Sequence, residues 1–424
     1  MGTKIRTRLL LSAAALSATA LVVSGCSSGG DAGAGDVESL NLWLPTPFGA
    51  ESTSVESDAW DEILAPFEEE QSVDVDVTLI PWADYETKYL TGVSSDDGPD
   101  LGYMYGEMMG DYIVNGAIVP FDEYLDPAAV ENMLYVDQGK VDGEQYALPF
   151  VVGGMRILWA NMDLLSAAGV SEIPTTWDDF LSVSEKVTAS GKTALLQSWG
   201  APDRGMLNSS FFPLLWQAGG QILTDDGSKT AFNSEAGIAA ANYLMTLLES
   251  GAMPSSVTGL TNDEVKSAFY GGETAFMFGT DGQLGEITDS GINADFIPSL
   301  EGEQRGTFVA SDSLVLFDAC PDKQLCTDLA EFILSGAQMT QFHENIVAYP
   351  PIGLDEEGDS ENPFIPVYAE NADILHSLPV AAGSAGVYNS LYTNLQQMLL
   401  GQKTPEQALE DAAGEGDSSL QAAQ

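Results

Sequence analysis

The chain is poor in histidine, cysteine and positive charge, and each shortage removes a class of function. Its two histidines, His343 and His376, have no partner at ligand spacing, and no Cys-x-x-Cys pair exists. Structural zinc sites need several such ligands at short spacings, so no metal site is expected. The segment Ala382-Gly383-Ser384-Ala385-Gly386 falls one glycine short of the turn that presents a nucleophilic serine, and no histidine follows it. Lysine and arginine total 14 against 64 aspartates and glutamates. Recognition of nucleic acid needs basic patches, which this composition does not offer. Carboxylate pairs of the glycosidase kind carry no signal here, because 64 acids produce every spacing by chance. Apolar runs are scarce as well. Leu9 to Val23 is the longest, and it is short for a membrane span.

What the chain does have is core material. Hydrophobic residues make up 44%, so the acidity does not signal disorder. About 390 residues beyond the N-terminal segment suggest two domains. That segment places Lys4, Arg6 and Arg8 before the apolar run, as a secretory signal does. Without those three bases, 11 remain against 64 acids, a net charge of about −53. Such a surface repels anionic lipid and anionic solutes at long range. It suits high salt, where screening shortens that repulsion, and equally an ordinary acidic secreted protein. Cys320 and Cys326 stand six apart, compatible with a short-loop disulfide in an oxidising compartment or with two free thiols.

Leu40–Leu44 reads as a strand, Val55–Glu70 as an amphipathic helix, Val73–Ile80 as an alternating strand, Trp82–Val93 as a helix and Leu101–Tyr105 as a strand. This β-α-β-α-β order predicts a parallel sheet covered by helices. The stretch Tyr146–Phe180 organises the rest of the chain. It offers a strand through Leu148-Pro149, the pair Gly153-Gly154 and a second strand to Trp159-Ala160-Asn161. A helix then ends at Ala168-Gly169, and Pro174-Thr175-Thr176-Trp177-Asp178-Asp179-Phe180 gives a threonine-capped start for the next.

These motifs, in this order, resemble the extracellular solute-binding proteins of ABC importers, in the branch that includes maltose- and oligosaccharide-binding proteins. Ala330-Glu331-Phe332-Ile333, Tyr349-Pro350-Pro351 and the closing Gly401-Gln402-Lys403-Thr404-Pro405-Glu406-Gln407-Ala408-Leu409 resemble later family elements. At Gly279-Thr280-Asp281-Gly282 the chain departs from the family's Gly-Pro-Trp, so a tryptophan that stacks on sugar in many relatives is missing. Val23-Ser24-Gly25-Cys26 resembles a lipobox, which implies cleavage before Cys26 and diacylation of its thiol. An ordinary signal peptide is the alternative.

The resemblance implies an α/β fold of the periplasmic-binding-protein type II, with two α/β lobes, a hinge of three crossings and the ligand cleft between them. The expected divisions are a signal peptide at 1–25 and a lipidated cysteine with a flexible tether at 26–36. Lobe 1 is 37–150 plus 311–360, lobe 2 is 151–310 plus 361–416, and 417–424 is a tail. Extended, the ten tether residues reach roughly 35 Å. The implied function is capture of a neutral sugar by hinge closure and delivery to permease subunits, as a monomer, without cofactor. A polyamine-binding or sensory protein of the same fold is the alternative, and a secreted hydrolase is not expected.

Parallel sheets bind ligands at the carboxyl ends of their strands, which nominates loop residues. Phe48 and Glu51 follow the first strand, and Tyr105 and Glu107 follow the third. Trp199, Asp203, Arg204 and Asn208 lie in the long loop of the second lobe, and Asp281 and Asp312 lie at strand ends near the second crossing. Tyr388 is reached by counting back from the Gly401 motif to where relatives place a cleft aromatic. Aromatic faces pack on the C–H faces of sugars, and carboxylates and amides pair with hydroxyls. Core packing is the competing role for each aromatic, and solvated surface for each acid.

Overall fold

The computed structural model describes residues 37–46, 48, 52–95, 97–200, 205–347, 349–357 and 362–424. Cys26, Glu51, Asp203 and Arg204, named above, lie outside the described residues.

Fourteen strands are described: β1 (Ser39–Thr46), β2 (Asp74–Pro81), β3 (Leu101–Tyr105), β4 (Ile118–Val119), β5 (Lys140–Val141), β6 (Glu144–Gln145), β7 (Ala147–Gly153), β8 (Arg156–Asn161), β9 (Thr193–Leu196), β10 (Thr274–Thr280), β11 (Ala294–Ile297), β12 (Thr307–Phe308), β13 (Ala310–Phe317) and β14 (Leu375–His376). The first sheet runs β2-β1-β3-β13-β4, with β7 also paired to β13. Strands β1, β2 and β3 are parallel, whereas β13 enters antiparallel from more than 150 residues downstream. The second sheet runs β11-β8-β10-β9, with β8 antiparallel to both neighbours and β9 parallel to β10. Each sheet with its helices makes one α/β lobe.

Local chemistry sets the elements. Helix Thr53–Gln71 starts at Ser52, whose hydroxyl accepts from Val55 N. It buries Trp60, Ile63, Leu64 and Phe67 along one stripe. Asn161 ends β8 and caps the next helix by accepting from Leu164 N, which gives the Trp-Ala-Asn motif its physical role. Thr176 caps helix Trp177–Ala189, and Thr261 and Thr404 each form a capping box.

Two elements differ from the expectations above. The element expected to be a helix from Trp82 begins as a short 3-10 turn, Trp82–Asp84, and the helix itself spans Tyr85–Ser94. The expected tail 417–424 is the end of helix Pro405–Ala423. Leu420 is buried there, and Asp417 Oδ1 accepts from the Thr230 backbone N and hydroxyl, both at 2.8 Å. Leu420 and Asp417 thus tie this segment, which carries Ser418 and Ser419, to the body of the second lobe.

Candidate functional site

Strands β1, β2 and β3 end at the same edge of the first sheet, at Thr46, Pro81 and Tyr105. Antiparallel β13 brings Asp312 to that edge, opposite Tyr105. The chain leaves β7 at Gly153 and crosses through Gly154 and Met155 to Arg156, the first residue of β8. A Cβ on Gly153 would lie 2.6 Å from the Tyr349 ring, so the crossing requires glycine there. Arg156 pairs with Thr280, the last residue of β10, and Asp281 comes directly after it. Two strand edges thus meet at the crossings, with Asp312 from one lobe and Arg156 and Asp281 from the other.

One guanidinium serves several acids. Arg156 Nη1 donates to Gly154 O at 2.7 Å, its guanidinium lies 5.2 Å from the Phe308 ring centre, and its charge acts on both Asp281 and Asp312. Burial pushes the Asp312 carboxyl up to about 7, the hydrogen bond from the Tyr103 hydroxyl and the charge of Arg156 oppose the rise, and Glu107 adds to it. Burial also raises Asp281, which is 5% exposed, against hydrogen bonds from the Tyr368 hydroxyl at 2.7 Å and Gly282 N at 3.0 Å. Tyr349 rises to about 12, through burial first and then through Asp281 and Asp312.

Beside Arg156 the second lobe holds a cavity of about 320 Å³, lined on its polar side by Ser198, Asn262, Lys266, Thr280 and Gln283. The Ser198 hydroxyl donates to Asn262, and Gln283 Oε1 accepts from Thr280 N at 2.7 Å. A Cβ on Gly279 beneath it would stand 2.1 Å from Gln283 Oε1 and 2.9 Å from the Trp159 ring, so a larger residue there would displace the Gln283 side chain. Lys266 pairs with Glu286 at 3.3 Å on the rim.

The nominated residues divide. Asp281 and Asp312 come together around Arg156. Glu107 joins them electrostatically and, with Asp312, lines a gap of about 20 Å³ between helix Gly106–Val114 and strands β12 and β13. The Tyr105 hydroxyl donates to Glu86. Phe48 is partly buried and packs edge-on against Tyr103, Phe150 and Phe342, fixed by Glu56, which accepts from Phe48 N at 2.9 Å and from the Thr46 hydroxyl at 2.5 Å. Asn208 is partly buried, but its neighbours Met206 and Ser209 line the cavity instead.

Trp199 and Tyr388 are corrections. Trp199 is fully buried in the second core, stacked on Tyr392 at 5.7 Å with its indole N donating to Gln197 at 2.7 Å. Tyr388 is 1% exposed and packs edge-on against Phe212. Neither offers a face to the cleft. For Trp199 the reason is the turn after β9: Leu196, Gln197 and Ser198 line the cavity, and the chain turns at Trp199, whose ring packs into the second core against Tyr392. Sequence reasoning missed Arg156, Tyr103, Tyr349, Tyr368 and the cavity residues. Arg156 alone had a local signal, as the first charged residue past the hinge glycines. The structure also joins Cys320 to Cys326 by a disulfide.

Two lobes with convergent polar groups at facing strand edges have the architecture of a binding protein. Residues 62–361 match the bacterial extracellular solute-binding protein family, and the chain belongs to it. A galactooligosaccharide-binding protein of Bacillus subtilis is 21% identical over 375 residues, 85% of this chain and 86% of the relative. Among solved structures, the cyclic alpha-maltosyl-1,6-maltose binding protein of Arthrobacter globiformis superposes with a TM-score of 0.75 at 21% identity, over 91% of this chain and 100% of that one. An ABC transporter solute-binding protein of Thermotoga lettingae, bound with alpha-D-tagatose, gives 0.74 at 22% identity, over 90% and 100%. These likenesses show the fold, that of periplasmic solute-binding proteins of the maltose-binding type.

Proposed function

We propose that the chain captures a neutral sugar or oligosaccharide between its lobes and, closed around it, delivers it to the transmembrane subunits of an ABC importer. In this reading it is held at the outer face of the cell membrane by lipid on Cys26, and it works as a monomer. One observation carries the reading: Arg156, Asp281 and Asp312 converge from both lobes beside a polar cavity of about 320 Å³, within the usual size range of small-molecule sites. Hydroxyl-rich rings suit such groups, each of which accepts or donates at short range. The family's described members bind solutes outside the cytoplasm, and the relatives named above for sugars support the ligand class. Ligand held by both lobes favours the closed form through contacts that the open form lacks.

Calorimetric titration of a panel of mono- and oligosaccharides tests the ligand. Binding lost in Arg156→Ala and Asp312→Ala is expected, and a panel in which nothing binds sinks the sugar reading. Asp281, Asp312 and Glu107 outnumber Arg156 at the site, which favours a polyamine as the second reading, so putrescine and spermidine belong in the panel. Mass spectrometry of the mature protein tests the anchor. A diacylated Cys26 is expected, and an unmodified cysteine or a mature end well downstream removes the lipoprotein reading.

A further inference from the structure

The first lobe carries a cavity of its own, of about 460 Å³, between helices Tyr85–Ser94 and Gly106–Val114. It shares no lining residue with the cavity beside Arg156. One face of each helix makes a wall. Glu86, Leu90, Val93 and Ser94 stand at i, i+4, i+7 and i+8 of the first, and Glu107, Asp111 and Asn115 at i, i+4 and i+8 along the second. At the rise of an α-helix those spans make a groove about 12 Å long. Ala385, in the first turn of helix Ser384–Leu399 from the second lobe, also lines it.

The groove combines an apolar floor with charge of one sign. Leu90 is 64% exposed there, and Val93 and Met108 continue the floor. A guest with an apolar body would recover the burial that this row forgoes in water. Glu86, Glu107 and Asp111 supply three carboxylates, and among the described residues no base lines the groove. Lys88, on the same helix as Glu86, lies over the Trp43 ring at 4.8 Å instead. The helix dipole favours Glu86 and Glu107, which stand in first turns, yet it explains neither Asp111 nor the apolar floor. Two of the acids are held in place: Glu86 accepts from the Tyr105 hydroxyl, and Asp111 Oδ1 from Gly383 N at 2.8 Å. An ionised carboxylate has about four acceptor positions, so each can take a further donor. Tyr112 lies between them. Burial first, and then the charges of Glu86 and Asp111, push its phenol up to about 12, so both acids act on one ring.

We infer that this groove is a second binding site, for a small organic cation with an apolar body, of the arylalkylamine kind. Glu86, Glu107 and Asp111 hold its ammonium beside the Tyr112 ring, and its body lies on Leu90, Val93 and Met108. Charge complementarity selects this guest. Three carboxylates without a base repel an anion, and a neutral apolar guest would cover them without pairing them. A second copy of this chain brings a surface of the same sign, at a net charge of −50 for the whole sequence. The site goes beyond the sugar reading and does not depend on it.

Calorimetry of the full chain with 2-phenylethylammonium tests the site, beside 2-phenylethanol and 3-phenylpropanoate as its neutral and anionic counterparts. One saturable site for the amine is expected, with the alcohol about tenfold weaker and the acid not bound. Glu86→Gln should weaken the amine by about tenfold, and Leu90→Ser by about fivefold. Both positions are exposed, so both variants should fold. Asp281→Asn, in the cleft, should leave the amine's affinity unchanged. Loss in Asp281→Asn with none in Glu86→Gln puts the amine in the cleft and overturns the site. Wild-type affinity in both groove variants means diffuse attraction to the acidic surface, and overturns it too. So does an alcohol that binds as tightly as the amine, or an amine that does not bind. None of these outcomes bears on the sugar reading, which the saccharide panel tests separately.

Discussion

The Tyr368 hydroxyl donates to Asp281 Oδ2 at 2.7 Å and accepts from Met155 N at 3.0 Å. Tyr368 lies on helix Phe364–Glu370, Met155 in the first crossing and Asp281 just after β10. One phenol therefore ties the hinge backbone to the deepest carboxyl of the cleft.

Tyr368→Phe keeps the ring and removes both bonds, leaving a buried amide and a buried carboxyl without this partner. The cost should be about 1–3 kcal/mol in urea unfolding, with ligand affinity falling as well. An unfolding midpoint equal to wild type would show that the phenol does not couple crossing to cleft.

Asp312 makes stability depend on pH. Its folded carboxyl titrates at about 7, against about 3.9 in an unfolded chain. Between those values the folded state holds a proton that the unfolded chain has lost, so this group's contribution to stability falls as pH rises across that window. Thermal midpoints at pH 5, 6, 7 and 8 and fixed salt should fall more steeply for wild type than for Asp312→Asn. Parallel curves refute the assignment.

Glu56 is fully buried and holds Thr46 and Phe48 at the head of the first strand's loop. Glu56→Ala leaves the Phe48 amide without this acceptor and the Thr46 hydroxyl with Thr53 alone, for a loss of about 1–3 kcal/mol. Glu56→Gln retains one acceptor oxygen and should lose less. The comparison is made by urea unfolding, and equal losses would mean that packing rather than hydrogen bonding is at stake.

The Cys320–Cys326 disulfide closes a short loop at the start of helix Lys323–Ile333. On the chain-entropy view its removal costs about 2 kcal/mol. Guanidinium unfolding with and without reductant measures this, and coincident midpoints would leave the bond without a role in stability.

Deleting 417–424 should destabilise the second lobe. Leu420 alone withdraws a side chain worth about 1.5–3 kcal/mol, and Asp417 and Ser419 add hydrogen bonds to Thr230 and Gly383. A truncated protein with a wild-type melting temperature would restore the reading of this segment as a tail.

Whatever is local was legible in the sequence. The threonine cap at Thr176, the glycine turns and the alternation of β2 each depend on neighbours within a few residues. Strung together, they carried the family and the two-lobed fold. The site depends on partners far apart in the chain: Tyr103 meets Asp312 across 209 residues, and Tyr368 meets Asp281 across 87. No spacing rule reports such pairs, because the crossings decide which strand ends face each other. Packing then decides the rest. Composition favoured Trp199 as a cleft aromatic, but the chain turns there into the second core and leaves Gln197 and Ser198 to line the cavity.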